Sequence, residues 1–361
     1  MTRRHFLPLA AGAAAAATGK QVKVALLTHA DGPHLSAYLP ALAASEEAGT
    51  VVLADASGTV EAEARKALGA KLTAVYRDSS ELLRKEKPAL ALVTMEAAIA
   101  PPAIRAALEA GCHVLAEKPA CVRAADFDAL ASLAAQSNRQ LVLALGNRVD
   151  PLVVEARRLL RSGLVGKVYG VEVHIIADQT RLAKPAYHQA WFAKKARAGG
   201  GHLIWLGIHW LDLAMYLTGS RINEVAGFTG NVGGQPLDVE DSAAVALRFD
   251  NGSFGTMTSG YYVDKGYHSQ IKIWGSDGWL ELRKHGAPVP LEWYSNKEGK
   301  VRRYEGPLDP NGYEPFVKHV VRAAAGLEPP VLTAEDSRYV LHVVFAAYRA
   351  AETGQTQKVR L

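Results

Sequence analysis

The chain is poor in cysteine. Cys112 and Cys121 are the only two among 361 residues, too few for a disulfide framework and spaced unlike the paired cysteines of a zinc site. Both are expected to be free and buried, and no metal-ligand spacing is found elsewhere. Outside the N-terminus the chain lacks the roughly 18 consecutive apolar residues that a membrane span requires. Charge of one sign is scarce too. The formal net charge is +5, and the densest basic group, Lys194, Lys195 and Arg197, reads as a solvated loop. Such a scattered balance argues against nucleic acid as a partner. What is present, 49% hydrophobic and 21% charged residues, suffices for a large core and points to two domains.

The N-terminus stands apart. Thr2-Arg3-Arg4-His5-Phe6-Leu7 leads into a short, mildly apolar stretch that ends in Ala15-Ala16-Ala17, suited to signal peptidase. The pattern resembles a twin-arginine export signal. Residues 1–17 are therefore expected to direct the folded protein to the periplasm and to be removed, taking Arg3 and Arg4 and lowering the formal charge from +5 to +3. Without that signal the protein would be cytoplasmic.

From residue 20 onward, apolar runs alternate with helical patterns. Strands are expected at Val22–Leu27, Val51–Asp55, Ala89–Thr94, Val114–Ala116 and Leu141–Leu145. Helices are expected over 33–48 (closed by Gly49), Glu61–Leu68 (stopped by Gly69), after the capping-box pattern Asp78-Ser79-Ser80-Glu81, from Pro102 to Gly111, and over Ala124–Gln136. This alternation predicts an α/β fold with a doubly wound parallel sheet, of the dinucleotide-binding Rossmann type, over residues 20–148.

The glycines such a fold normally places after its first strand are largely missing. The turn reads Thr28-His29-Ala30-Asp31-Gly32-Pro33-His34, so the three positions of G-x-G-x-x-G hold Thr28, Ala30 and Pro33, and Gly32 is the only glycine. A Cβ at the middle position limits how closely a pyrophosphate approaches the backbone, and Asp31 adds a negative charge near the helix N-terminus that would receive it. His29 and His34 could hold phosphate or simply be solvated. Asp55 ends the second strand about 20 residues on, where an acid accepts hydrogen bonds from a ribose and disfavours a 2′-phosphate; it equally suits the turn before Ser57-Gly58.

Gly146-Asn147-Arg148-Val149-Asp150-Pro151 marks a domain crossing, with Asp150 as N-cap of a helix ending near Gly163. Residues 149–361 form the second domain. It opens with a long strand over Lys167–Ile176. Gly199-Gly200-Gly201 then introduces an apolar helix, His202–Leu217, on which Trp205, His209 and Asp212 share a face. Alternating segments at Ala243–Phe249, Ser253–Tyr262, Gln270–Trp274, Trp279–Leu282 and Leu291–Tyr294 predict a large, open, mainly antiparallel sheet, followed by helices near Tyr313–Ala325 and Ala334–Thr353.

One short motif carries chemistry. Ala116-Glu117-Lys118-Pro119 ends a buried strand, and Pro119 cannot continue a central ladder. Lys118 is thus presented at the carboxyl edge of the parallel sheet, where such folds bind their ligands. A lysine stripped of water there exchanges protons near neutrality.

Together with Ala110–Ala116, Gly199–Gly201, Gly207-Ile208-His209-Trp210-Leu211-Asp212, Val239-Glu240-Asp241-Ser242, Phe249-Asp250-Asn251-Gly252 and Ala351-Glu352-Thr353-Gly354, this motif makes residues 20–361 resemble the glucose–fructose oxidoreductase / inositol dehydrogenase / rhizopine-catabolism (Gfo/Idh/MocA) family. The resemblance implies an oxidoreductase that moves hydride between NAD(P) and the CH–OH group of a sugar, polyol or related carbonyl compound, with a homodimer or homotetramer built on the open sheet. It implies Lys118 and His209 as the catalytic pair. The cofactor would lie on Thr28, Ala30, Gly32, Asp55, Glu117, Lys118 and Asn147, as NAD rather than NADP on account of Asp55.

Substrate contacts are expected from Arg148, Tyr187, Trp191, Trp205 and His209, with His188 a further candidate. The family's usual aspartate four residues before the histidine is Trp205 here, which could stack on a sugar or merely fill the core. Asn147 and Arg148 either face the cleft or satisfy their own loop. His174 reads as structural, Asp212 as a tie within its helix or between domains, and Glu240-Asp241 as a strand-entry turn. The unusual first loop and Trp205 leave two other functions open: a carbohydrate-binding homologue without redox chemistry, and an NAD-assisted lyase or glycoside-cleaving enzyme.

Overall fold

The computed structural model describes residues 20–308 and 312–361; the expected export signal, residues 1–17, lies outside them. The first sheet holds six parallel strands: β1 (Val22–Thr28), β2 (Ala48–Asp55), β3 (Leu72–Tyr76), β4 (Leu90–Thr94), β5 (His113–Ala116) and β6 (Leu141–Leu143). Their order is β3-β2-β1-β4-β5-β6, the doubly wound arrangement expected of a Rossmann domain. Helices cover both faces, so β1 and β4 are apolar almost throughout and Ala25, Leu26, Ala91 and Leu92 are sealed from solvent.

Two local expectations give way to sheet pairing. The helix expected over 33–48 spans Leu35–Ala44, and Ala48 and Gly49 open β2 instead. Val22 lies opposite Ala48 and Lys23 opposite Thr50, and this ladder outweighs alanine's helix preference. The edge strand β3 has no counterpart in the sequence reading, because Leu72–Tyr76 is short and buries only Leu72 fully. Two further elements lie within two residues of expectation: the helix expected from Pro102 to Gly111 is Ala100–Glu109, and the strand expected over Leu141–Leu145 is Leu141–Leu143. The helices Glu61–Leu68 and Ala124–Gln136 have the expected ends, and Asp78 and Asp150 each cap a helix by accepting a backbone N–H.

The second sheet has nine strands: β7 (Val168–Asp178), β8 (Ile222–Gly230), β9 (Ser242–Phe249), β10 (Phe254–Val263), β11 (Tyr267–Gly275), β12 (Gly278–His285), β13 (Leu291–Ser295), β14 (Lys300–Arg303) and β15 (Gln357–Lys358). They run in the order β14-β13-β12-β11-β7-β10-β9-β8-β15. All neighbours are antiparallel except β7 and β10. The helices Pro151–Arg161, Ile208–Thr218 and Ala334–Thr353 pack on this sheet. The other face stays open: β9 alternates buried and exposed residues, and Phe228 is 80% exposed.

The chain then folds back. Helix Tyr313–Ala324 packs on Leu35–Ala44, and Ala334–Thr353 packs on Ala124–Gln136 as well as on β8. The stretch assigned by sequence to the second domain thus closes over the first, and this return encloses the space between the sheets. The helix expected over His202–Leu217 starts with a wider π turn, Leu203–Gly207, before the α-helix Ile208–Thr218. Cys112 and Cys121 are free and buried. Among the described residues, no helix is long and apolar enough to cross a membrane, and no group of three His, Cys, Asp or Glu could hold a metal.

Candidate active site between the two sheets

β1 is flanked by β2 on one side and β4 on the other, so the winding reverses between β1 and β4 and opens a crevice at their carboxyl ends. Lys118 stands beside it. The N–H of Glu117 bonds the Val93 carbonyl at 2.8 Å, which fixes the segment leaving β5 against β4. The Lys118 side chain is only 2% exposed. Its Nζ donates to the Trp205 carbonyl at 2.7 Å and lies 3.8 Å from the centre of the Trp205 ring. Burial pushes its pKa down to about 8, against the opposing pull of the Glu117 carboxylate 4.0 Å away. Burial would raise the Glu117 carboxyl, but His34 at 3.1 Å, Lys118 and the Tyr38 hydroxyl together hold it below the usual carboxylate range.

His209 approaches the same place from the second domain. Its Nδ1 is enclosed with no hydrogen-bond partner. Burial pushes its pKa well below the ordinary value, and the charges of Lys118, His34 and Lys284 act in the same direction. The imidazole is therefore neutral at physiological pH.

His209 also lines a cavity of about 550 Å³, with Asn147, Asp150, Tyr267, Lys284, His285 and Tyr313 among its other polar groups and Trp210 and Phe316 among its apolar walls. Lys284 Nζ donates to Asn147 Oδ1 at 2.7 Å and sits 2.8 Å from Asp150 Oδ2. Two of its three donors are thus engaged and the third is left for a ligand. Aromatic walls with a few converging donors and acceptors suit a small polyhydroxylated molecule.

Residues 32–145 match the family model described as "Oxidoreductase family, NAD-binding Rossmann fold", and residues 153–281 match the GFO/IDH/MocA C-terminal domain. The chain belongs to the Gfo/Idh/MocA family. Its relatives include the myo-inositol 2-dehydrogenase of Thermotoga maritima, 23% identical over 79% of this chain and 84% of that protein. They also include the D-glucoside 3-dehydrogenase of Escherichia coli, 26% identical over 69% of this chain and 73% of that protein. Among solved structures, an oxidoreductase domain protein from Kribbella flavida superposes with a TM-score of 0.86 at 23% identity, covering 95% of this chain and all of that one. A levoglucosan dehydrogenase in complex with NADH and L-sorbose superposes at 0.82 with 18% identity, over 94% and 99% of the two chains. At these identities the superpositions establish the fold. The family is one of NAD-dependent oxidoreductases, and residues 32–145 carry its NAD-binding domain.

How the residues of this family member fit NAD differs along the crevice. The helix Leu35–Ala44 starts without a side-chain cap, so its positive end is free to meet a pyrophosphate. Gly32 does not serve that approach, because a Cβ there would stand 2.1 Å from Thr28 Oγ1 and 2.8 Å from the Thr94 carbonyl. Its lack of a side chain makes room for protein. Thr28 is buried and donates to the Thr94 carbonyl at 3.0 Å, while Ala30 lies exposed on the rim.

Asp55 is buried, and its carboxylate accepts the N–H groups of Ser57 at 3.0 Å and Val60 at 2.8 Å. Those bonds outweigh burial and keep its pKa low. It is the turn-forming aspartate that the sequence also allowed, and the expectation that it is open to a ribose is corrected accordingly. The end nearest Lys118 is filled by Trp205, which stacks on His34 at 5.8 Å, and by Trp191, whose indole N–H donates to the Asp31 carbonyl at 3.3 Å. As packed, that end does not fit a nicotinamide.

Of the residues expected from sequence to meet substrate, only His209 lines the cavity, joined there by Asn147, which had been assigned to the cofactor. Arg148 is buried in an ion-pair network with Asp212 at 2.6 Å and Asp336 at 3.1 Å, so it ties helices together. Tyr187 packs on Phe192 and approaches the Tyr261 hydroxyl at 3.3 Å, and His188 bonds the Leu182 carbonyl. Trp191 and Trp205 pack edge to face against each other at 5.4 Å. His34 and His29 are half-buried and engaged with protein: His34 stacks on Trp205 and meets Tyr313 at a tilt, and His29 accepts the Glu96 N–H at 3.0 Å. Sequence reasoning passed over Lys284, His285, Tyr267 and Tyr313. Each sits at the end of a strand or helix, and the only signal was a pair of polar residues, Lys284-His285, closing an otherwise alternating strand.

Proposed function

We propose that this protein is an NAD-dependent dehydrogenase, or a reductase in the reverse direction, acting on a CH–OH group of a sugar or polyol held in the cavity at His209. The observation that carries the proposal is the juxtaposition of a buried lysine, its pKa near 8, with a neutral histidine at the wall of that cavity. A neutral Lys118 amine accepts the hydroxyl proton, and its ammonium returns the proton in reduction. The Trp205 carbonyl aims Nζ, and the His209 imidazole at the cavity wall offers the substrate hydroxyl a hydrogen bond. Lys284, Asn147 and Asp150 orient the remaining hydroxyls. NAD, when bound, supplies the hydride acceptor.

The names of the relatives suggest the first compounds to try, myo-inositol and D-glucosides. The test is to release and identify any nucleotide carried by the purified protein, then to follow NADH absorbance on adding NAD with each compound. Sugar binding without any nucleotide binding or NADH would instead support a carbohydrate-binding protein without redox chemistry, the reading favoured by the filled end of the crevice.

Two further readings accompany this one. Residues 1–17 act as a twin-arginine signal, so changing Arg3 and Arg4 to lysine should hold the precursor in the cytoplasm. The open face of the second sheet, with Phe228 and Phe254 exposed, joins copies of the chain into a dimer or tetramer. Sedimentation of the wild type against Phe228→Lys checks it.

A further inference from the structure

The segment Pro185–Ala198 consists of three one-turn helices, Pro185–Gln189, Trp191–Ala193 and Lys195–Ala198, with Trp191, Ala193 and Ala198 buried and the rest exposed or half-buried. Yet it crosses from the second domain to the mouth of the crevice in the first. Trp191 bonds the Asp31 carbonyl in the loop after β1, Arg197 pairs with Glu96 after β4, and the Ala98 N–H donates to the Arg197 carbonyl at 3.1 Å. The strap therefore touches both strands whose divergence creates the crevice. Ala97, Trp191 and Ala198, with Val122, Phe192 and Trp205 against them, form a small apolar cluster separate from the main core. The strap's further polar ties, from Lys195 to Asp238 and Glu352, from Tyr187 to Tyr261, from His188 to Leu182 and from the Asp238 N–H to the Ala193 carbonyl, stay within the second domain.

We propose that this strap, with Trp205, competes with NAD for the crevice, so that NAD binds only when Trp191 and Arg197 let go of the first domain. The proposal rests on the NAD-dependent reading above. The strap holds the crevice through one indole N–H, one main-chain bond, an ion pair between half-exposed Arg197 and buried Glu96, and a small cluster, whereas the sheets beneath are laddered by main-chain bonds. Segments tied so lightly open at a small fraction of the cost of global unfolding. The apparent affinity for NAD is then the intrinsic affinity reduced by the fraction of molecules with the strap released, and weakening a tie raises that fraction.

The experiment is calorimetric titration of the full mature chain with NAD, alongside its tryptophan emission. Arg197→Gln removes the ion pair at a surface position, and Trp191→Ala removes the indole and its bond. Both should tighten NAD binding, Trp191→Ala by ~10-fold or more, and NAD should shift wild-type emission to the red as Trp191 and Trp205 leave their cluster. Should Trp191→Ala fold poorly, Arg197→Gln carries the test by itself. Equal NAD affinity in wild type and variants, with emission unchanged, overturns the strap while leaving the NAD-dependent enzyme standing. No NAD binding by any of the proteins overturns both.

Discussion

The crevice beside Lys118 and the cavity at His209 are near enough for the lysine's charge to act on the imidazole, yet they are built differently. In the crevice several polar groups are already engaged with protein: Thr28 with Thr94, Asp55 with Ser57 and Val60, and His29 with Glu96. The cavity keeps polar groups in reserve, in a Lys284 with one unclaimed N–H and the His209 imidazole at its wall. A group that is buried and satisfied stabilises the fold, and one that is buried and unsatisfied is held ready for something else. The family's NAD-binding domain has therefore spent much of its ligand-facing surface on packing here, while the substrate side has not.

The sharpest test of this contrast is Lys118, the crevice residue whose charge acts on His209. Lys118→Ala should lower turnover by roughly 10²–10⁴-fold with a much smaller change in KM. His209→Ala in that background should cost little more if the two serve one proton transfer. Wild-type turnover in the oxidative direction should rise with pH to a midpoint of about 8, because the amine must be neutral to accept a proton. The reductive direction should fall over the same range, and a pH profile that Lys118→Ala leaves unchanged would remove Lys118 from the proton path.

Smaller effects separate the regions further. Lys284→Met should raise the substrate KM by about 10-fold, the loss of a charged hydrogen bond, with turnover little altered; an equal fall in both would place Lys284 in the chemistry. Trp205→Ala keeps the backbone carbonyl but readmits water to Lys118, so the pH midpoint should move upward by about one unit as the charged form becomes easier to hold. Least of all, Asp55→Ala should cost about 1–2 kcal/mol of stability, as for a lost capping side chain, without changing any preference between NAD and NADP. A shift toward NADP in that variant would return Asp55 to the ribose.

How much could be read beforehand follows from where each residue's partners lie. The strand ending at Ala116 and the proline after Lys118 are local facts, so the position of Lys118 at the sheet edge was legible. The helix carrying His209 was legible for the same reason. The fate of Trp205 was not. A π turn at Leu203–Gly207 and contacts with His34, Trp191 and Lys118, each from a different part of the chain, decide whether it stacks on a ligand or on protein. Arg148 misled for a similar reason: it sits at the domain crossing, but its acids come from helices that begin at Ile208 and Ala334.

The sequence by itself determined the α/β layout, with a parallel first sheet and a mainly antiparallel second one, and the family, because periodicity, caps and short motifs act over a few residues. Only the tertiary structure decided that Asp55 closes its own turn, that Lys284 and Tyr313 complete the cavity, and that Trp191 and Trp205 fill the crevice beside Lys118. The physical reason is that burial and hydrogen-bond satisfaction depend on every neighbour at once. Helix Tyr313–Ala324 and the strap Pro185–Ala198 reach these places only after the chain has crossed between domains and returned.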